Sequence, residues 1–116
     1  MNPEKNTTTA IVEPDADTTT NDLTIKLSRT YTFEGKDIKE LDLSGLDDLD
    51  AKDMMEADKF LARNGGISAT PEMTTAYTCF IASRAAALPV EFFLRLKPKD
   101  AVRVKNTVMG FFYNDD

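Results

Sequence analysis

Between Leu23 and Phe33 the chain alternates strictly. Leu23, Ile25, Leu27, Tyr31 and Phe33 take odd positions, with Thr24, Lys26, Ser28, Thr30 and Thr32 between them. A period of two puts one apolar face on a core and one polar face in water, which is the pattern of a strand. Glu34-Gly35-Lys36 follows, and Gly35 can take the positive φ of a tight turn. Residues 23–43 therefore read as a β-hairpin. A three-residue loop would set Leu27 opposite Leu43 and Arg29 opposite Leu41, and would turn Ile38 to the other face. Either a bulge corrects this or the second face is also partly covered. A two-stranded hairpin is not stable alone, so helices must cover its apolar side.

After Leu43 the period becomes helical. Asp50 is an expected N-cap with Asp53 three residues on, and Met54, Ala57, Phe60 and Leu61 form a stripe that ends at Asn64-Gly65-Gly66. Thr70-Pro71-Glu72 restarts a helix through a capping hydroxyl and a proline in the first turn. Met73, Ala76, Tyr77, Phe80 and Ile81 then share a face. Leu88-Pro89 breaks that helix, and Lys97-Pro98 opens a last one in which Ala101, Val104, Val108, Phe111 and Phe112 align. The expected organisation is a disordered Thr-rich tail over 1–22 and one α+β domain over 23–116. In that domain an N-terminal β-hairpin (23–43) precedes a small bundle of three to four helices, at 50–64, 71–87, 89–96 (short) and 98–113.

Charge and composition narrow the function. Twenty acidic and 14 basic residues give a net charge of −6 and a pI near 4.6. That balance argues against nucleic-acid and anionic-membrane partners, which need clustered positive charge. Residues 34–58 hold ten acidic and three basic side chains, whereas 59–116 hold eight basic and five acidic. The acidic stretch reads as a solvated turn and helix start, or as a docking surface for a basic partner, including the basic half of another copy. The single cysteine, Cys79, permits no internal disulfide, and no apolar run approaches the roughly 18–20 residues that span a bilayer.

Catalytic equipment is scarce. The chain has no histidine, and Cys79 sits in an apolar helix with no neighbouring base. The acidic cluster Asp47, Asp48, Asp50 and Asp53 lacks the glycine of a calcium loop, so no metal or cofactor is expected. Gly65-Gly66 is a helix stop without the Gly-Lys-Ser/Thr of a phosphate cradle. No set of acid, base and nucleophile can be assembled, so an enzyme is not expected. Apolar surface, by contrast, is in surplus. Phe92-Phe93-Leu94 and Phe111-Phe112-Tyr113 each occupy about 200° of a helix circumference, more than a thin fold easily buries. Such triplets are either core or a patch for a helical partner or another subunit.

The order of parts is recognisable. Phe33-Glu34-Gly35-Lys36, then Ile38-Lys39-Glu40-Leu41-Asp42-Leu43 and an acidic helix start, resemble the tail assembly chaperones of tailed bacteriophages. So does the ending, in which Ala87-Leu88-Pro89-Val90 leads through Leu94 and Leu96 to Lys99-Asp100 and a last helix closing on Gly110-Phe111-Phe112. The resemblance covers roughly residues 23–113 and gives the Thr-rich segment no role.

It implies a small non-enzymatic protein that coats the long helical tape-measure protein. The coat keeps that partner soluble and extended until tail-tube subunits polymerise, in the cytoplasm of the host, and leaves before the mature virion of a siphovirus or myovirus forms. A chain ending Tyr-Asn-Asp-Asp would be the short form, with a longer frameshifted product reaching the tail-tube protein. Homo-oligomerisation is a further outlet for the same surface. The expected partner-binding residues are Phe92, Phe93 and Leu96, with Val108, Phe111, Phe112 and Tyr113. An acidic adaptor or inhibitor that docks on a basic protein surface through residues 34–58 is the alternative.

Overall fold

The computed structural model describes residues 23–113; the segment 1–22, expected to be a disordered tail, and residues 114–116 lie outside that range. Strands β1 (Thr24–Phe33) and β2 (Lys36–Asp42) form an antiparallel hairpin. A 3₁₀ turn, Ser44–Asp48, leads to α1 (Ala51–Arg63). A second 3₁₀ turn, Pro71–Met73, precedes α2 (Thr75–Ala86), followed by short α3 (Val90–Leu94) and α4 (Pro98–Tyr113). The fold is α+β, as expected.

The hairpin loop is shorter than the sequence suggests. Phe33 pairs with Lys36, leaving a two-residue turn in which Glu34 (φ 50°) and Gly35 (φ 79°) are both left-handed. Positive φ at both central residues gives a turn whose twist matches that of the flanking strands. The expected pairs Leu27–Leu43 and Arg29–Leu41 are therefore absent. Ile25 faces Leu41 instead, and Ile38 faces Tyr31 on a shared side. A long bulge reconciles the two ends: residues 27–30 of β1 lie against Lys39 alone, between the pairs Lys26–Glu40 and Tyr31–Ile38.

That bulge frees backbone groups, and α4 receives them. The Ser28 amide donates to Asp100 Oδ1 (2.9 Å), while the hydroxyls of Ser28 (2.8 Å) and Tyr31 (2.7 Å) donate to Oδ2. Tyr31 Oη accepts in turn from the Lys97 amide at 3.0 Å, and Arg103 donates to the Lys26 carbonyl at 2.6 Å. Asp100 is buried. Burial favours its neutral form, but the bonds from Tyr31 and Ser28, with the Arg103 charge beyond them, hold its carboxyl below the usual range.

The core lies between the hairpin and the helices. Ile25, Leu41, Leu43 and Leu46 meet Tyr77, Ile81, Phe92, Val104 and Val108 there. Asp50 caps α1 and forms a reciprocal capping box with Asp53, whose carboxylate also takes Arg84 of α2 at 2.8 Å. Met54, expected in the α1 stripe, is exposed, while Ala57 and Leu61 are buried. Thr74 caps α2 by accepting from the Tyr77 amide, so the expected cap at Thr70 starts only the 3₁₀ turn. At Gly45 the 3₁₀ turn passes so close to α2 that an added Cβ would lie 2.3 Å from the Ala85 carbonyl oxygen.

Gly45→Ala is expected to lower stability by about 1–3 kcal/mol through overpacking against backbone, read as the urea midpoint. Asp100→Asn keeps the shape and removes the charge, and is expected to cost about 1.5–3 kcal/mol at pH 7. The folded carboxyl of Asp100 titrates below its unfolded value of about 3.9, so its contribution is present above about pH 4 and fades as pH falls through the folded value. Urea midpoints measured down this acid range should fall more steeply for the native chain than for Asp100→Asn.

Candidate protein-docking surface

Four of the seven residues expected to meet a partner are buried in the core. Phe92 and Phe93 are each 1% exposed, Val108 is fully buried and Leu96 nearly so. For Phe92 the reason is the hairpin. Tyr31 and Phe33 project from it and pack edge-on against Phe92, at ring distances of 5.8 and 5.5 Å. Phe93, perpendicular to Phe92 at 5.3 Å, turns toward α2, where Cys79 Sγ lies 3.9 Å from its carbonyl oxygen. Two faces of this short helix are thereby covered. Leu94, the third neighbour, remains 54% exposed.

Leu94 stands at the edge of an open groove of about 370 Å³ between α2, α3 and α4. Phe93, Leu96 and Ala101 line its inner part, with Cys79 and Thr75 along the α2 side. Val102, also 54% exposed, faces Leu94 from α4, and Lys105 adds one positive charge. The lining is mostly apolar. Sequence reasoning missed Val102 because its neighbours on α4 are charged or polar. The signal available was Val102 at the spacing of i, i+7 and i+11 with Met109 and Tyr113, a second stripe beside the core-facing one.

Phe111 and Phe112 are half-buried and lie on a different groove, of about 280 Å³. Leu49 and Met54 face them across Leu46 and Ile81, and Asp50 lies at its margin. Phe112 also packs edge-on against Tyr77 at 6.5 Å. Tyr113 is exposed, and its hydroxyl donates to Glu72. Of the seven expected residues, Phe92 and Val108 are sealed in the core, Phe93 and Leu96 form part of the first groove's floor, Phe111 and Phe112 lie on the second groove, and Tyr113 lines neither.

Chemical groups are sparse around these grooves. Among the described residues, no group of three or more His, Cys, Asp or Glu side chains could hold a metal ion. Burial pushes the Cys79 thiol up to about 11. A hollow at the hairpin tip is lined by Thr32, Phe33, Glu34, Glu91 and Arg95, which include neither a thiol nor an imidazole. Much of the acidic stretch is occupied by local structure: Asp37 accepts from Thr32, Asp42 from the Ser44 amide, and Asp50 and Asp53 form the α1 cap. No described helix is long and apolar enough to cross a membrane.

The family model described as phage tail assembly chaperone proteins, E, or 41 or 14, matches residues 24–113. The chain belongs to this family. The matched span begins at the first residue of β1 and ends at the last of α4, so it contains the hairpin, the Asp100 cluster and both grooves. No curated protein and no solved structure matches the chain.

Because the Cys79 thiol is buried with a pKa near 11, its reaction with an aromatic disulfide at pH 7.5 should be about two orders of magnitude slower than that of a free cysteine. Unfolding in urea should restore the ordinary rate, followed by absorbance of the released thiolate.

Proposed function

We propose that this tail assembly chaperone binds amphipathic helices of the tape-measure protein and keeps that partner soluble for tail-tube polymerisation. The observation that carries this reading is the apolar groove edged by the exposed Leu94 and Val102. An extended, largely helical partner offers apolar stripes along its length, and a groove between helices suits one turn of such a stripe. Affinity per copy is modest, and many copies act together along one long chain. The site of action is the host cytoplasm during assembly, and the chaperone leaves before the virion matures.

A docking role for the acidic stretch 34–58 is the weaker reading. Several of its carboxylates already cap helices or close turns, so fewer are free to meet a basic surface.

Co-expression with the tape-measure protein tests the proposal. The native chain should raise the soluble fraction of that product, and the gain should disappear with Leu94→Glu and Val102→Glu combined. Both side chains are more than half exposed, so thermal unfolding of the double variant should shift little. An unchanged gain in solubility with that variant would sink the reading.

A further inference from the structure

Two helices of this chain carry rows of opposite charge, each around an exposed apolar side chain. On α4, Lys99 and Lys105 stand three residues before and after Val102, so the three share one face. On α1, Met54 lies four residues after the cap Asp50 and four before Asp58, again on one face. Val102 is 54% exposed and Met54 39%. Asp50, Asp58 and Lys99 are exposed, and Lys105 lines the Leu94–Val102 groove. Among the described residues the ion pairs are Lys59–Glu56 and Arg84–Asp53, so neither row is neutralised within its own chain. Asp50 caps α1 through Oδ1, leaving Oδ2 for a lysine. We propose that the Leu94–Val102 rim of one copy seats in the Met54 groove of a second copy, with Lys99 and Lys105 set against Asp50 and Asp58.

The dimensions of the two rows agree. At 1.5 Å per residue, the outer charges are about 9 Å apart along α4 and about 12 Å apart along α1. The flexible four-carbon stems of the lysines span that difference. The apolar parts match as well. Leu49, Phe111 and Phe112 around the Met54 groove are half-buried, and a seated rim of Leu94 and Val102 removes them further from water. Met54 is unbranched and adapts to an irregular surface. No carboxylate lines the Leu94–Val102 groove, and no lysine or arginine lines the Met54 groove. Unlike surfaces therefore attract and like surfaces repel. The two grooves share no lining residue, so one copy can give its rim and its groove to different neighbours, a heterologous contact. Exposed ion pairs add little singly, which makes the contact weak and salt-sensitive.

That the second copy competes with a partner helix rests on the function proposed above; that the copies touch in this way does not. Sedimentation equilibrium of the full chain at low salt should give a mass that rises with concentration and returns toward the monomer as salt is added. Asp58→Lys and Lys105→Glu should each weaken the association about 3–10-fold, with circular dichroism unchanged. Mixing the two variants should restore it, because each then offers the surface that attracts the other's reversed residue. Each reversal changes the net charge of −6 by two, so both variants stay negative and overall attraction cannot produce that rescue. A chain that stays monomeric up to about 1 mM would overturn the proposal. So would association indifferent to both reversals, or variants that fail to rescue each other. A designed Leu/Gln amphipathic peptide separates the contact from the proposed function. Binding that lowers the mass supports both, and binding that leaves the mass unchanged overturns the contact at this groove. If the peptide binds nothing while the mass rises and the rescue holds, helix capture alone fails.

Discussion

The carboxylate of Asp100 joins the two halves of this molecule. A hairpin of two strands has too little contact area to hold its own shape, and its bulge leaves the Ser28 amide without a partner in the ladder. The first turn of α4 supplies the missing acceptor. One side chain takes the bulge amide, the Ser28 hydroxyl and the Tyr31 hydroxyl, and Tyr31 passes the connection on to the amide of Lys97. A buried charge is costly unless its oxygens are satisfied, and here three donors satisfy them. The same bonds that make the charge tolerable set the angle at which β1 meets α4.

That angle decides which apolar groups stay available. With β1 pinned along α4, Tyr31 and Phe33 come down on Phe92, and the other side of the short α3 helix packs Phe93 toward α2. Of the Phe92-Phe93-Leu94 triplet, Leu94 is left outside, and it lines the groove with Val102. The groove between them has a floor made of core residues, so its shape is held by the packing that stabilises the fold. A surface of this kind can receive an apolar stripe without first reorganising, which lowers the cost of binding.

Charge is divided along the same lines. Acidic groups near the hairpin and α1 are drawn into caps, turns and the Asp53–Arg84 pair. The lysines near the start of α4 remain exposed beside the groove. For a tail assembly chaperone, a groove of this chemistry would reward an apolar stripe and discriminate among its flanking charges.

Local signals were legible in the chain before any fold was known. Alternation over 23–33, the Asp50–Asp53 cap, the Gly65 helix stop and the prolines at 71, 89 and 98 all act within a few residues of their own position. They therefore announced the hairpin, the helices and the α+β class, and the ordered run from Phe33 to Phe112 carried the family pattern. Register was not legible, because a two-residue turn and a long bulge are chosen by distant partners: Ser28 and Asp100 lie 72 residues apart. Nor could the chain by itself say which phenylalanines are free, since Phe92 is hidden by a hairpin nearly sixty residues upstream. Periodicity tells which residues are apolar and which face they share. Only the tertiary packing decides whether another part of the same molecule has already covered that face.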